Sequence, residues 1–224
     1  MPVLTLPEKT EPLRHRFAAE GYVPLTGLVS PEGLHRLREE TGRLRETGSR
    51  RDFHMDCMAD SPRHMTTLGG KEIAEGSETI SALYRDTGLV GLLTALHGCD
   101  VIPVDDPVER HVLNILHRPG DTHGAHTDDH PLALVLFIDA PPKPESGGLL
   151  EYRPGSADLS ALDAPGTRQV HHRTGDAYLL RSDLTAHRVT PLNEQGVHRI
   201  VLNFAYTTPG HECPATDSAD QLYG

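Results

Sequence analysis

The segment GDTHGAHTDDH, residues 120–130, carries three histidines and three aspartates in eleven positions. Neutral imidazoles and carboxylates are ligands for divalent metals, so the segment is a candidate metal site. Not all six side chains can converge. In extended backbone, residues two apart point the same way. His126 and Asp128 therefore form a pair, with Asp129 turned away and His130 one step beyond. A third ligand must come from elsewhere. His187, in DLTAHRVTPL, precedes a β-like run and lies far enough along the chain for intervening strands to bring it alongside.

Two imidazoles and one carboxylate leave three coordination positions open, the arrangement that nonheme Fe(II) oxygenases use to admit a bidentate cosubstrate and O2. The same donors suit a catalytic zinc with an open water position. A zinc hydrolase would need a general base, with Asp129 and Glu151 as candidates. A binding protein without catalysis is a third reading. His-x-Asp alone discriminates weakly in a chain with 15 histidines. Arg199, in HRIVLNFAY, adds weight. Its planar fork suits a carboxylate, and a cation inside an apolar barrel needs such a partner. A dicarboxylate cosubstrate would provide one.

The elements that must position these residues change character along the chain. PEKTEPLRHRFAAEG reads as a helix with Leu13, Phe17 and Ala18 on one face and Gly21 as its stop. SPEGLHRLREETGRLRETG has a capping Ser30, Pro31 at the first helical position, and Leu34, Leu37, Thr41 and Leu44 at helical spacing. Residues 48–80 show no clean period and read as a loop or lid over a site. ISALYRDTGLVGLLTALHG reads as one helix ending at Gly98. Beyond residue 100 come short apolar or alternating runs: RHVLNILHR, LALVLFIDA, GGLLEYRPG, GDAYLLRSD and HRIVLNFAYTT. That succession predicts an antiparallel sandwich or jelly roll. The expectation is a single domain over 1–224. It has mostly helical support and a lid in 1–99, a jelly-roll core in 100–210 and an irregular tail in 211–224.

Composition narrows the partners. A length of 224 residues suits one core, and the formal net charge of -11 disfavours nucleic acid. No apolar run is long enough for a membrane span, and the N-terminus has no apolar signal region. Cys57, Cys99 and Cys213 form no CxxC pair, as expected of free thiols in a cytoplasmic protein.

Taken together, HTD, GDAYLLRSDLTAHRVTP and HRIVLNFAY resemble the Fe(II)/2-oxoglutarate-dependent dioxygenases of the double-stranded β-helix (jelly-roll, cupin-like) fold. FAAEGYVPLTGLVSPEGLHRLREE is similar to the opening helices of the phytanoyl-CoA hydroxylase branch. HRPGDTHGAHTD looks like the Y-x-x-G…H-x-D segment of the prolyl hydroxylase branch. The resemblance implies that His126, Asp128 and His187 hold Fe(II) and that Arg199 binds the distal carboxylate of 2-oxoglutarate. O2 would be the second cosubstrate. The prolyl hydroxylase tyrosine falls on His117, which with Asn114 is a candidate for cosubstrate contact. Halogenases of this superfamily carry Gly or Ala in place of the carboxylate, opening a position for halide. Asp128 keeps the carboxylate, so hydroxylation of an unactivated C–H bond is expected, with release of succinate and CO2. A free amino acid or natural-product intermediate is the expected substrate, with Arg181 and Arg63 as candidate contacts. His123 and His130 read as loop or supporting residues.

Overall fold

The computed structural model describes residues 2–211 and 217–223. Its helices are α1 (Glu11–Glu20), α2 (Pro31–Leu44), α3 (Gly70–Gly76), α4 (Glu78–Tyr84), α5 (Thr87–His97) and α6 (Asp217–Tyr223). Early in the chain come strands β1 (Tyr22–Leu25), β2 (Ser49–Met55), β3 (Ser61–Leu68), β4 (Ile102–Pro103), β5 (His111–Leu116) and β6 (Thr122–His126). The rest are β7 (Leu132–Asp139), β8 (Leu150–Tyr152), β9 (Arg168–Val170), β10 (Ala177–Leu180), β11 (His187–Val189) and β12 (Arg199–Thr207). They join in one antiparallel sheet, in the order β1-β10-β7-β12-β5-β3-β6-β11-β8-β9, with β2 on β3 and β4 on β12. The sheet curls as a jelly roll does, so strands far apart in this order line one cavity.

The two faces of the sheet divide the labour. On β12, Leu202, Phe204 and Tyr206 pack against helix residues Leu37, Ile80, Leu83, Tyr84 and Leu93 in the main core. Each fully buried side chain of this kind contributes about 1.5–3 kcal/mol of transfer free energy. The alternate residues Arg199, Val201 and Asn203 face the cavity. Period-two alternation thus turns one strand into both core and site.

Helix ends follow local chemistry. The Ser30 hydroxyl accepts from the Gly33 N–H at the start of α2, and Gly21, with φ 66°, closes α1. Three expectations need correction. The run 80–98 is two helices, because the Asp86 side chain accepts from the Leu89 N–H and starts a new one. Residues 49–68 are a hairpin, β2 paired with β3 from Ser49↔Thr67 to Met55↔Ser61. Its period is concealed because the buried positions of β3 include Ser61, Arg63 and Thr67. Polar residues occupy the inward face because that face borders a polar site. The tail also differs, since Asp217–Tyr223 is helical, Leu222 is buried and Tyr223 lines the cavity. Cys213 lies outside the described residues; Cys57 and Cys99 are free and exposed. Among the described residues, no helix is long and apolar enough to cross a membrane.

Candidate active site

His126 ends β6 and His187 begins β11, and the two are direct cross-strand partners. Their rings lie 4.1 Å apart. Asp128 follows two residues after β6, where its N–H donates to the Ser182 carbonyl at 3.0 Å. Its Oδ1 stands 3.5 Å from His126 Nε2 and 3.8 Å from His187 Nε2. The three groups form a cluster able to hold a metal ion.

Both imidazoles are oriented in the same way. His126 Nδ1 lies 2.7 Å from the Gly124 carbonyl and His187 Nδ1 lies 2.9 Å from the Thr185 carbonyl. A carbonyl only accepts, so each Nδ1 carries the proton and each Nε2 presents its lone pair to the centre. Burial, followed by the nearby His123, His187 and Arg63, pushes His126 well below the usual imidazole range. That favours the neutral ligand form. Burial raises Asp128. A divalent cation would reverse that cost by supplying the missing positive charge. The donor set, its tautomers and its charge all suit such an ion.

A register shift in β6 adds a residue that periodicity assigned elsewhere. His187 pairs with His126 and Val189 pairs with His123, three residues against two. This bulge reverses the side-chain parity, so His123 and His126 share a side. Their rings stack at 4.0 Å and 19°. Gly124 sits in the bulge because a Cβ there would meet the Pro62 carbonyl oxygen at 2.6 Å. His123, expected to be a loop or supporting residue, lines the cavity beside the triad.

Two buried arginines face the same space. Arg199 is 2% exposed, and among the described residues it makes no ion pair. Its guanidinium lies 5.0 Å over the Phe137 ring and meets the Tyr178 hydroxyl, while its Nε has no partner. Gly148, with φ 69°, leaves room for its stem, since a Cβ would come 3.4 Å from Arg199 Cδ. Arg63 is 1% exposed and donates to the Ser61 hydroxyl at 2.7 Å and the Pro62 carbonyl at 3.1 Å. It too makes no ion pair among the described residues, and burial lowers it to about 10. Buried cations without an acidic partner are costly.

Opposite in charge is a wall of acids. Glu109, Asp128 and Asp129 line an open cleft together with Arg63, His123, His130, Asn203 and Tyr223. Burial, then Asp129, Asp128 and Asp106, raises Glu109 to about 8. His130 Nε2 stands 3.7 Å from Glu109 and 3.8 Å from Asp106.

Of the residues expected from sequence, His126, Asp128, His187, Arg199 and Asn114 line one inner cavity, which Arg63 joins from the outer cleft. His117 does not join them: it lines a separate outward cavity with Arg50 and His198 and has Asp121 at 3.7 Å. It follows β5, past the strand whose alternation directs Asn114 inward. Arg181 is also elsewhere, beside Gly21 at the end of α1. Glu151 pairs with Arg188 at 2.6 Å on β8, whose inward residues are Leu150 and Tyr152. It cannot serve as a base at the metal. Sequence reasoning missed Asn203 and Tyr178, whose positions on the inner face follow from register, and Glu109, which a turn ahead of β5 brings to the outer cleft.

The profile of the Halogenase D family matches residues 6–223. The chain belongs to that family. No curated protein matches it. Its fold is that of AviO1 from Streptomyces viridochromogenes, at 21% identity and TM-score 0.71 over 95% of this chain and 100% of that one. The non-heme α-ketoglutarate-dependent epimerase SnoN of nogalamycin biosynthesis is similar at 18% identity and TM-score 0.70, covering 89% and 83%. A Pseudomonas putida prolyl-4-hydroxylase matches at 16% identity and TM-score 0.63, covering 90% and 100%. The jelly roll expected from sequence is therefore the fold. Within a family bearing a halogenase name, this chain carries Asp128 in its candidate triad.

Proposed function

We propose that the protein is an Fe(II)/2-oxoglutarate-dependent oxygenase that hydroxylates a C–H bond of a free amino acid. The observation that carries this reading is the pair of buried arginines without acidic partners, Arg199 and Arg63, facing one space with the His126–Asp128–His187 triad. Two cations ask for two carboxylates. Arg199, deep beside the triad, suits the distal carboxylate of 2-oxoglutarate. Arg63, in the outer cleft, suits the carboxylate of the amino acid. Glu109 and Asp129, on the wall of the same cleft, suit its ammonium group.

Iron held by His126, Asp128 and His187 would supply O2 activation coupled to conversion of 2-oxoglutarate to succinate and CO2. The chain's own contribution is placement. Ala133 and Val135 on β7 give the inner cavity an apolar wall that excludes water. Asn114 and Asn203 offer neutral polar contacts. Asp128 would hold the metal where a halide would otherwise bind, which favours hydroxylation over halogenation despite the family's name.

A zinc hydrolase would leave Arg199 without a role, and Glu151, one of its two expected bases, lies away from the cleft. The test is succinate release from Fe(II), O2 and 2-oxoglutarate, with a panel of amino acids including basic ones. One or more should stimulate succinate and gain 16 Da. Turnover that persists without oxygen and 2-oxoglutarate would refute the proposal.

A further inference from the structure

A second group of metal-donor side chains stands beside the outer cleft, separate from the triad. Asp106, Glu109 and His130 bring two carboxylate oxygens and one imidazole nitrogen within 4.8 Å of one another. The two acids come from the chain just ahead of β5, and His130 from the connection between β6 and β7. Asp106 Oδ1 accepts from the N–H groups of Val108 at 2.7 Å and Glu109 at 3.1 Å, which fixes the carboxylate with Oδ2 toward His130. The His130 carbonyl accepts from the Ser182 hydroxyl at 3.0 Å, which fixes the backbone.

The imidazole is the observation that points to a ligand. His130 is 7% exposed, and neither ring nitrogen makes a hydrogen bond among the described residues. Its Nε2 faces Glu109 Oε2 at 3.7 Å and Asp106 Oδ2 at 3.8 Å. Hydrogen bonds of this kind span about 2.7–3.2 Å, so these contacts are too long to be hydrogen bonds. They suit donors arranged around a common ion. Bonds of about 2.0–2.2 Å in a tetrahedral site set the donors about 3.3–3.6 Å apart, within a few tenths of an ångström of the values here. The triad shows the same spacing, 3.5 Å and 3.8 Å. A buried polar group left without a partner is costly, and an ion among the three groups would remove that cost. Arg63 lines the same cleft but donates to the Ser61 hydroxyl and the Pro62 carbonyl. Two carboxylates balance a divalent charge, and one imidazole beside them selects an ion of the zinc class over magnesium or calcium.

We propose that Asp106, Glu109 and His130 bind a second divalent cation of the zinc class, and that this cation and the amino acid exclude one another. The exclusion rests on the oxygenase reading, which seats the substrate's ammonium group on Glu109; the cation site does not. Glu109 cannot hold the cation and the ammonium group together. Excess zinc would therefore block the outer cleft while iron stays on the triad.

The test starts with anaerobic wild-type protein carrying Fe(II) and 2-oxoglutarate. It is equilibrated with Zn2+, and both metals are counted by elemental analysis. One iron and one zinc per chain are expected. Asp106→Asn keeps an acceptor for the two backbone N–H groups but loses a charged ligand. It should keep one iron, which shows an intact fold, and bind zinc more weakly by at least about 10–100-fold, the cost of losing even a supporting contact. His130→Gln should do the same. In turnover, Zn2+ should inhibit succinate release competitively with the stimulating amino acid, and Asp106→Asn should relieve the inhibition. Zinc that only replaces iron, or that binds Asp106→Asn as tightly as wild type, would overturn the site. Inhibition that the amino acid does not relieve, or that is equal in Asp106→Asn, would overturn the exclusion. Absence of succinate with every amino acid would overturn the oxygenase reading and the exclusion with it, while a count of one iron and one zinc would still uphold the site.

Discussion

Glu109 gives the amino-acid reading a quantitative signature. Its carboxyl is held near 8 by burial and by Asp129, Asp128 and Asp106, against 4.5 for an ordinary glutamate. Without ligand it is therefore mostly protonated at neutral pH. An ammonium group seated against it favours the ionised form and returns its affinity for protons toward the ordinary value. Binding must then release a proton between pH 4.5 and 8, and close to one per ligand near pH 6.5. Affinity should rise with pH over the same window, flattening above it. In the metal-loaded protein the charge of Asp128 is offset, while burial and Asp129 still act. The expected gain in affinity from pH 6 to pH 8 is between about tenfold and fiftyfold. The assay is anaerobic isothermal titration of the Fe(II)/2-oxoglutarate protein with the amino acid that stimulates succinate. Buffers of different ionisation enthalpy count the protons. Glu109→Gln should bind more weakly at pH 8, release no proton and lose the pH dependence. A wild-type protein that releases no proton, or a Glu109→Gln variant that still does, would refute the assignment of the ammonium to this wall.

Four further outcomes follow from the same geometry. Arg199→Met should raise the KM for 2-oxoglutarate at least a hundredfold, yet leave the melting temperature of the ligand-free protein unchanged or higher, because it removes a buried charge with no acidic partner. Asp128→Gly should abolish hydroxylation and weaken metal binding; chlorinated product on adding chloride would show that the carboxylate alone blocks halide, and retained hydroxylation would contradict its role. Gly124→Ala should cost about 1–3 kcal/mol in denaturant unfolding and reduce metal loading, since its Cβ would lie 2.6 Å from the Pro62 carbonyl; an unchanged midpoint would mean that the bulge relaxes freely. In the metal-free protein, burial lowers His111 to about 4 and His172 to about 3. A depressed histidine takes its proton in the unfolded chain first, so stability falls as pH drops below 6.5. These two together contribute about 2 kcal/mol per pH unit between roughly pH 6 and 4. Unfolding that is flat with pH over this interval would exclude the buried neutral state.

The sequence alone indicated the jelly roll, the helical first part and the convergence of His126, Asp128 and His187. These rest on local rules: alternation along strands, caps at helix starts and the one-residue gap of HTD. Arg199 was legible because a cation within an apolar strand demands a partner. The tertiary structure decided what depends on register and on which face is wet. The β2–β3 hairpin escaped periodicity because its inward residues, Ser61, Arg63 and Thr67, are polar toward the site. His123 joined the cavity through a bulge that no spacing reveals, while His117 and Arg181 turned elsewhere. Glu109, Tyr178 and the C-terminal Tyr223 meet the triad only because a curled sheet brings distant strands and the chain's end to one space. Local periodicity fixes the direction of a side chain within its own strand; which strand it faces is settled by the closure of the sheet.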